Sequence, residues 1–153
     1  MTLILVDEEI QLLISEKKEI SRDFFSSFKL QSKPNHKAGK KEVHGENGSI
    51  FFVFIRQSAF YSLDFSLGLT YKFPHTNKTF ILKRYNGKSH QHTNKIEQET
   101  FYDFHIHTAT SRYQERGGNE EGYAEATSAY SDLNGAMEYM KKECGFIMRT
   151  DAS

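Results

Sequence analysis

Tryptophan is absent from this sequence, cysteine occurs once and proline twice in 153 residues, and neither sign of charge is in excess. Each shortage sets a limit. The single cysteine, Cys144, cannot close an internal disulfide, so the fold must be held by its core. The two prolines, Pro34 and Pro74, act as punctuation in a loop and a turn. Twenty basic residues against twenty acidic ones remove the footprint of a general nucleic-acid binder and leave room only for a local basic patch. No apolar run approaches the roughly 18 residues of a membrane span. The first residues, Met1 to Glu9, carry neither a basic leader nor a small-residue cleavage site. The expectation is a cytoplasmic chain with no membrane partner, folded as one domain over residues 1–153 that buries roughly two thirds of its unfolded surface.

Aromatic residues are abundant instead: thirteen Phe and eight Tyr, enough to fill a core and also to supply a contact surface. Apolar residues recur at Ile10, Leu13, Ile14, Ile20, Phe24 and Phe28, a period near 3.6 that predicts an amphipathic helix from Asp7 to Phe28. Asp7 suits its N-cap and Glu8 and Glu9 its positive end. Lys17 interrupts the stripe and is read as a stem along the core edge with its head in water. Gln31 to Gly48 is polar and glycine-containing and reads as a loop, with a basic run from Lys37 to Lys41 and two exposed histidines, His36 and His44. The run Ile50 to Arg56 has the β-branched and aromatic content of a central strand. Alternation at Leu63, Phe65, Leu67 and Leu69 marks a second strand and Thr79 to Tyr85 a third, with His75 in the turn between them. Tyr102 to Thr108 supplies a fourth, and Tyr123 to Thr127 a short closing strand. Ser131 or Asp132 then caps a helix with apolar positions at Leu133, Met137, Met140 and Cys144, ended by Gly145 and Phe146. Cys144 lies on the apolar stripe and reads as buried and inert. The expected fold class is α+β: an antiparallel sheet of four to five strands with an N-terminal and a C-terminal helix.

Four of the seven histidines form two His-x-His pairs, His90/His92 and His105/His107. On a strand, residues i and i+2 point to the same face about 7 Å apart. Tyr102, Phe104 and Ile106 then make one face, and Asp103, His105 and His107 the other. A loop after Asn86-Gly87 can fold back and bring all four rings together. Zinc suits such a set, with His90, His92, His105 and His107 as ligands and Asp103 or Glu97 as further or orienting carboxylates. Two other readings stand beside it. One is a polar β-face whose rings bond to Asp103, Arg112 and water. The other is metal-free acid–base chemistry, in which a histidine and Arg84, Tyr85, Arg112 or Tyr113 cleave a phosphodiester. No Ser-His-Asp order, Cys-His nucleophile, P-loop or Rossmann fingerprint is present.

The segments Arg84 to Asn94, Phe104 to Gln114 and Gly122 to Glu125 resemble a family of small phage and prophage proteins of Gram-positive bacteria. The chain is similar in this respect to candidate anti-CRISPR proteins. That resemblance implies a non-enzymatic inhibitor of a bacterial defence nuclease, Cas9, holding a structural zinc in the host cytoplasm and making no direct contact with nucleic acid. The loop from Ser111 to Gly122, with Arg112, Tyr113 and Arg116, and the run from Lys37 to Lys41 are its expected contact regions. A more distant likeness, an Arg-Tyr-Asn strand followed by histidine-rich strands, is to ribonuclease toxins of toxin–antitoxin modules. It implies that the same arginine and histidines are catalytic.

Overall fold

The computed structural model describes residues 5–88, 92–94, 99–101, 104–110 and 124–149, with backbone only for 92–94, 99–101 and 124. All statements of absence or number below refer to these residues. The chain opens with α1 (Asp7–Ser15) and the short β1 (Lys18–Ile20), then passes through turns to β2 (Gln31–Ser32) and β3 (His36–His44). β4 (Ile50–Ser58), β5 (Phe65–Lys72) and β6 (Thr79–Asn86) follow as a meander. A hairpin of β7 (His92–Asn94) and β8 (Glu99–Phe101) leads to β9 (His105–Thr108), β10 (Ala124–Ala126), α2 (Leu133–Glu143) and β11 (Phe146–Met148).

The α+β class stands, but the main sheet is larger than four to five strands. It has seven, in the order β10-β9-β6-β5-β4-β3-β2, and every pairing in it is antiparallel. The added strands come from residues 31–44, expected as loop. There the inward side of β3 carries Gly39, Lys41 and Val43 opposite Ile55, Val53 and Phe51, and only Val43 is a buried apolar residue. Apolar alternation is missing because Lys41 does the covering: its ammonium lies 4.5 Å from the Phe24 ring centroid and reaches the Phe24 carbonyl and Ser27 Oγ. The strand forms because β4, strongly apolar beside it, completes its backbone ladder from His36↔Ser58 to His44↔Ile50.

The expected helix from Asp7 to Phe28 is also corrected. It stops at Ser15, and Val6 rather than Asp7 is the N-cap, its N–H donating to Glu9 Oε1. The stopping group is Lys18, fully buried, whose Nζ donates to the carbonyls of Leu13 (3.0 Å), Ile14 (2.9 Å) and Glu16 (2.7 Å). These are orphan acceptors of the helix end. The apolar periodicity beyond it belongs to two different structures. Ile20 lies in β1, and Phe24, Phe25 and Phe28 form an aromatic cluster joined by Phe146, with Phe24 edge-on to Phe25 and Phe28 and the latter two stacked.

Sequence signals for α2 hold more closely. Asp132 is its N-cap and accepts from the Gly135 N–H at 2.7 Å, and Gly145 follows the helix at φ +71°. Replacing Asp132 with alanine should cost about 1 kcal/mol in a denaturant titration. A Cβ on Gly145 would meet the Ser15 and Glu16 carbonyls at 2.7 Å, so the ends of α1 and α2 abut. β1 and β11 pair in parallel at that junction.

The core lies between the helices and one face of the sheet. Ile10 and Ile14 of α1 and Ala136 and Met140 of α2 are buried with Phe51, Val53, Ile55, Leu67, Leu69 and Tyr85. Tyr85 Oη donates to Glu143 Oε1 at 2.6 Å and lies 3.4 Å from the buried Cys144 Sγ. Burial pushes the ionisation of both groups above its ordinary range.

Candidate acid–base site

The opposite face of the sheet carries the polar residues, and strand register lines them up. One rung runs Ala38–Arg56–Ser66–Asn86–His105–Ala126, and the next runs Lys40–Phe54–Gly68–Arg84–His107–Ala124. Residues directly opposite one another in such a ladder have Cβ atoms about 5 Å apart. At Gly68 the absence of a side chain matters, because a Cβ there would overlap the Phe54 ring.

His105 and His107 share a face, as the period of two predicts, with ring centroids 5.1 Å apart. Both are buried, at 0% and 2% exposure, whereas Arg84 and Ser66 beside them are half-exposed. Ser66 Oγ donates to Asn86 Oδ1 at 2.6 Å. That leaves the Asn86 amide nitrogen to donate toward His105 Nε2 at 3.4 Å. Arg84 Nη2 lies 3.4 Å from His107 Nε2 and can only donate. In this arrangement each Nε2 accepts, so both rings are neutral with the proton on Nδ1. Tyr130 Oη closes the rung from the core side, reaching the carbonyls of Asn86 (2.9 Å) and His105 (3.0 Å). Burial raises its pKa and keeps it a donor.

Of the four expected zinc ligands, the structure brings His105 and His107 together. His90 lies outside the described residues, and so does the side chain of His92, whose backbone is in β7. No group of three or more His, Cys, Asp or Glu side chains able to hold a metal occurs among the described residues. Beside His107 Nε2 the Arg84 guanidinium offers donors that suit an anion.

Asp103, Glu97, Arg112, Tyr113 and Arg116 also lie outside the described residues. His36 and His44 lie on β3 rather than in a loop, and the exposed His44 pairs with Glu42. Tyr85, a candidate partner of the histidines, points instead into the core. Sequence reasoning missed Asn86, Ser66 and Tyr130 as members of the network. Ser66 and Asn86 carried a weak signal as polar positions on alternating strands, while Tyr130 carried none. No protein-family model, curated protein or solved structure matches the chain.

Proposed function

We propose that this face cleaves phosphodiesters in RNA by metal-independent acid–base chemistry, with His107 as general base, His105 as general acid and Arg84 on the phosphate. The observation that carries this reading is the Arg84–His107 pair, which joins a fixed cation to a neutral, accepting imidazole beside a second imidazole. As the Arg84 guanidinium shifts from His107 Nε2 onto the phosphate, that nitrogen takes the proton of the ribose 2′-hydroxyl, whose oxygen attacks phosphorus. The bond to the 5′-oxygen breaks, and His105, having first taken up a proton from solvent, gives it to that oxygen, leaving a 2′,3′-cyclic phosphate. Arg84 neutralises charge that builds on the non-bridging oxygens.

Protonating His105 is compatible with its neighbours. The Asn86 amide can turn so that its oxygen accepts, and the Ser66 hydroxyl can serve as acceptor as readily as donor. The rings are buried, so the scissile phosphate approaches from the half-exposed side formed by Arg84 and Ser66.

The test is incubation of the purified protein with a fluorophore–quencher RNA in the presence of chelator, alongside the His107→Ala and Arg84→Ala variants. Cleavage that persists in chelator and is lost in both variants supports the reading. The Cas9-directed inhibitor with a structural zinc is the competing proposal. Intact RNA, together with blocked Cas9 cleavage of a target plasmid and stoichiometric zinc, would favour it instead.

A further inference from the structure

Two large aromatic side chains stand in water at one end of the polar face, on the turn between β4 and β5: Phe60 is 81% exposed and Tyr61 46%. The turn that holds them is tied down. Ser58 Oγ accepts from the N–H groups of both Phe60 and Tyr61, at 3.1 and 3.2 Å. The Ala59 N–H donates to the Asn35 carbonyl, the Ser58 N–H to that of Asp64, and the Asp64 N–H to that of Tyr61. Gln57 Nε2 adds a bond to the Ser62 carbonyl. A chain segment so constrained does not expose its rings through slackness. Adjacent exposed aromatics on a rigid turn mark a contact surface whose ordering cost is already met.

Cations lie beside it. Arg56 is exposed and begins the stretch Arg56–Ser66–Asn86–His105 that leads across the sheet to the acid–base site. Lys88, also exposed, is held against the same turn by its N–H, which donates to the Leu63 carbonyl, and its ammonium lies 5.3 Å from the Phe104 ring centroid. Farther along the face, the Lys40 ammonium sits 5.0 Å from the Phe52 ring centroid. Asp64 is the acidic residue of the turn, and it is half-buried.

We infer that Phe60 and Tyr61 form a stacking platform for unpaired bases of single-stranded RNA, with Arg56 and Lys88 on the backbone that runs from the platform to Arg84 and His107. The inference rests on the cleavage reading for the direction of the strand and deepens it by naming the substrate as single-stranded. Every base offers a face to stack on, so the platform selects for lack of pairing rather than for sequence. A duplex keeps its bases stacked on one another and offers none to these rings.

The probe is a short, fluorescently labelled strand with 2′-O-methyl ribose, which binds but cannot be cleaved through its 2′-oxygen. Anisotropy should show wild-type protein binding this strand more tightly than a fully paired duplex of the same sequence. The Phe60→Ala/Tyr61→Ala double variant should bind it about ten- to a hundredfold more weakly, the loss expected on releasing a stacked base. Arg56→Ala should weaken it less and flatten its salt dependence, and Phe60→Tyr should bind as wild type does. All three side chains replaced, Arg56, Phe60 and Tyr61, are exposed, and matching melting temperatures confirm an intact fold. Equal affinity for strand and duplex, or an undiminished double variant, overturns the platform. Capture of Cas9 by this turn with no affinity for the strand does so as well. His107-dependent cleavage with no effect of the double variant on binding removes the platform and leaves the cleavage reading standing. Platform-dependent binding with no cleavage of an unmodified strand does the reverse.

Discussion

Replacing Lys18 with methionine should cost about 3–5 kcal/mol of stability and lower the melting temperature by about 10 °C or more, while Lys17→Met changes it little. The two neighbours differ completely in surroundings. Lys17 is exposed, whereas Lys18 is fully buried with its ammonium among four carbonyl oxygens. Three belong to the end of α1, and the fourth is that of Cys144 at the end of α2, at 2.7 Å. The face of the Phe51 ring lies 4.5 Å away. Both helices therefore direct the negative ends of their dipoles at one positive charge. Methionine fills much of the same volume but leaves buried acceptors unsatisfied, which is the costly half of a lost hydrogen bond.

The same residue gives a pH signature. Burial pushes the Lys18 pKa from 10.5 down to about 8, against the attraction of the Cys144 and Glu16 sites that raises it. From about pH 8 to 10.5 the unfolded chain therefore holds this proton more firmly than the folded one. Stability contributed by Lys18 rises with pH across that window. Tyr85 and Tyr130 titrate with the opposite sign, their folded pKa values being raised, but they are common to both proteins. The Cys144 thiol is raised by burial and lowered in part by Lys18, so losing Lys18 raises it further and widens the difference in the same direction. The stability difference between wild type and Lys18→Met should widen as pH rises through the window. A constant or narrowing difference would contradict the assignment.

Lys18 also shows why part of this fold was illegible in sequence. A Lys-Lys pair interrupting an apolar stripe looks like a solvated break. Its real partners include a carbonyl 126 positions away, and no local window contains that information. Residues 31–44 were missed for a related reason, since their strand depends on the neighbour β4 and on a lysine covering the core edge. The elements that were legible carry their signals locally: alternation in β5, the aromatic and β-branched run of β4, and Asp132 with Gly145 at the ends of α2. The candidate site divides in the same way. Period two placed His105 and His107 on one face and Arg84 stood among the candidates beside them, but the pairing of Arg84 with His107 and of Asn86 with His105 follows from the register of β6 against β9, which only tertiary pairing sets.

His107→Ala should lower the rate of RNA cleavage by about 10²–10⁴-fold, the usual contribution of a general base, and Arg84→Ala by about 10²–10³-fold. Arg84→Lys should recover little. A lysine keeps the charge but presents a single flexible point, whereas the guanidinium is planar and matches two phosphate oxygens at once. Asn86→Asp offers a sharper test of the proton assignment. A carboxylate opposite His105 Nε2 would hold the ring protonated, so the acidic and basic limbs of the bell-shaped rate profile should move apart at the alkaline side. In His105→Ala the alkaline limb, which reports the general acid, should disappear while Arg84 and His107 remain paired. Double variants of His105 and His107 should lose little beyond the worse single variant, because two groups acting in one proton relay do not contribute additively.

The central claim is most directly tested by the product formed on one defined single-stranded RNA in chelator. Mass spectrometry should find a 2′,3′-cyclic phosphate end with wild-type protein and intact RNA with His107→Ala of equal melting temperature. RNA left intact by the wild-type protein, or cleaved equally well by His107→Ala, would contradict the account.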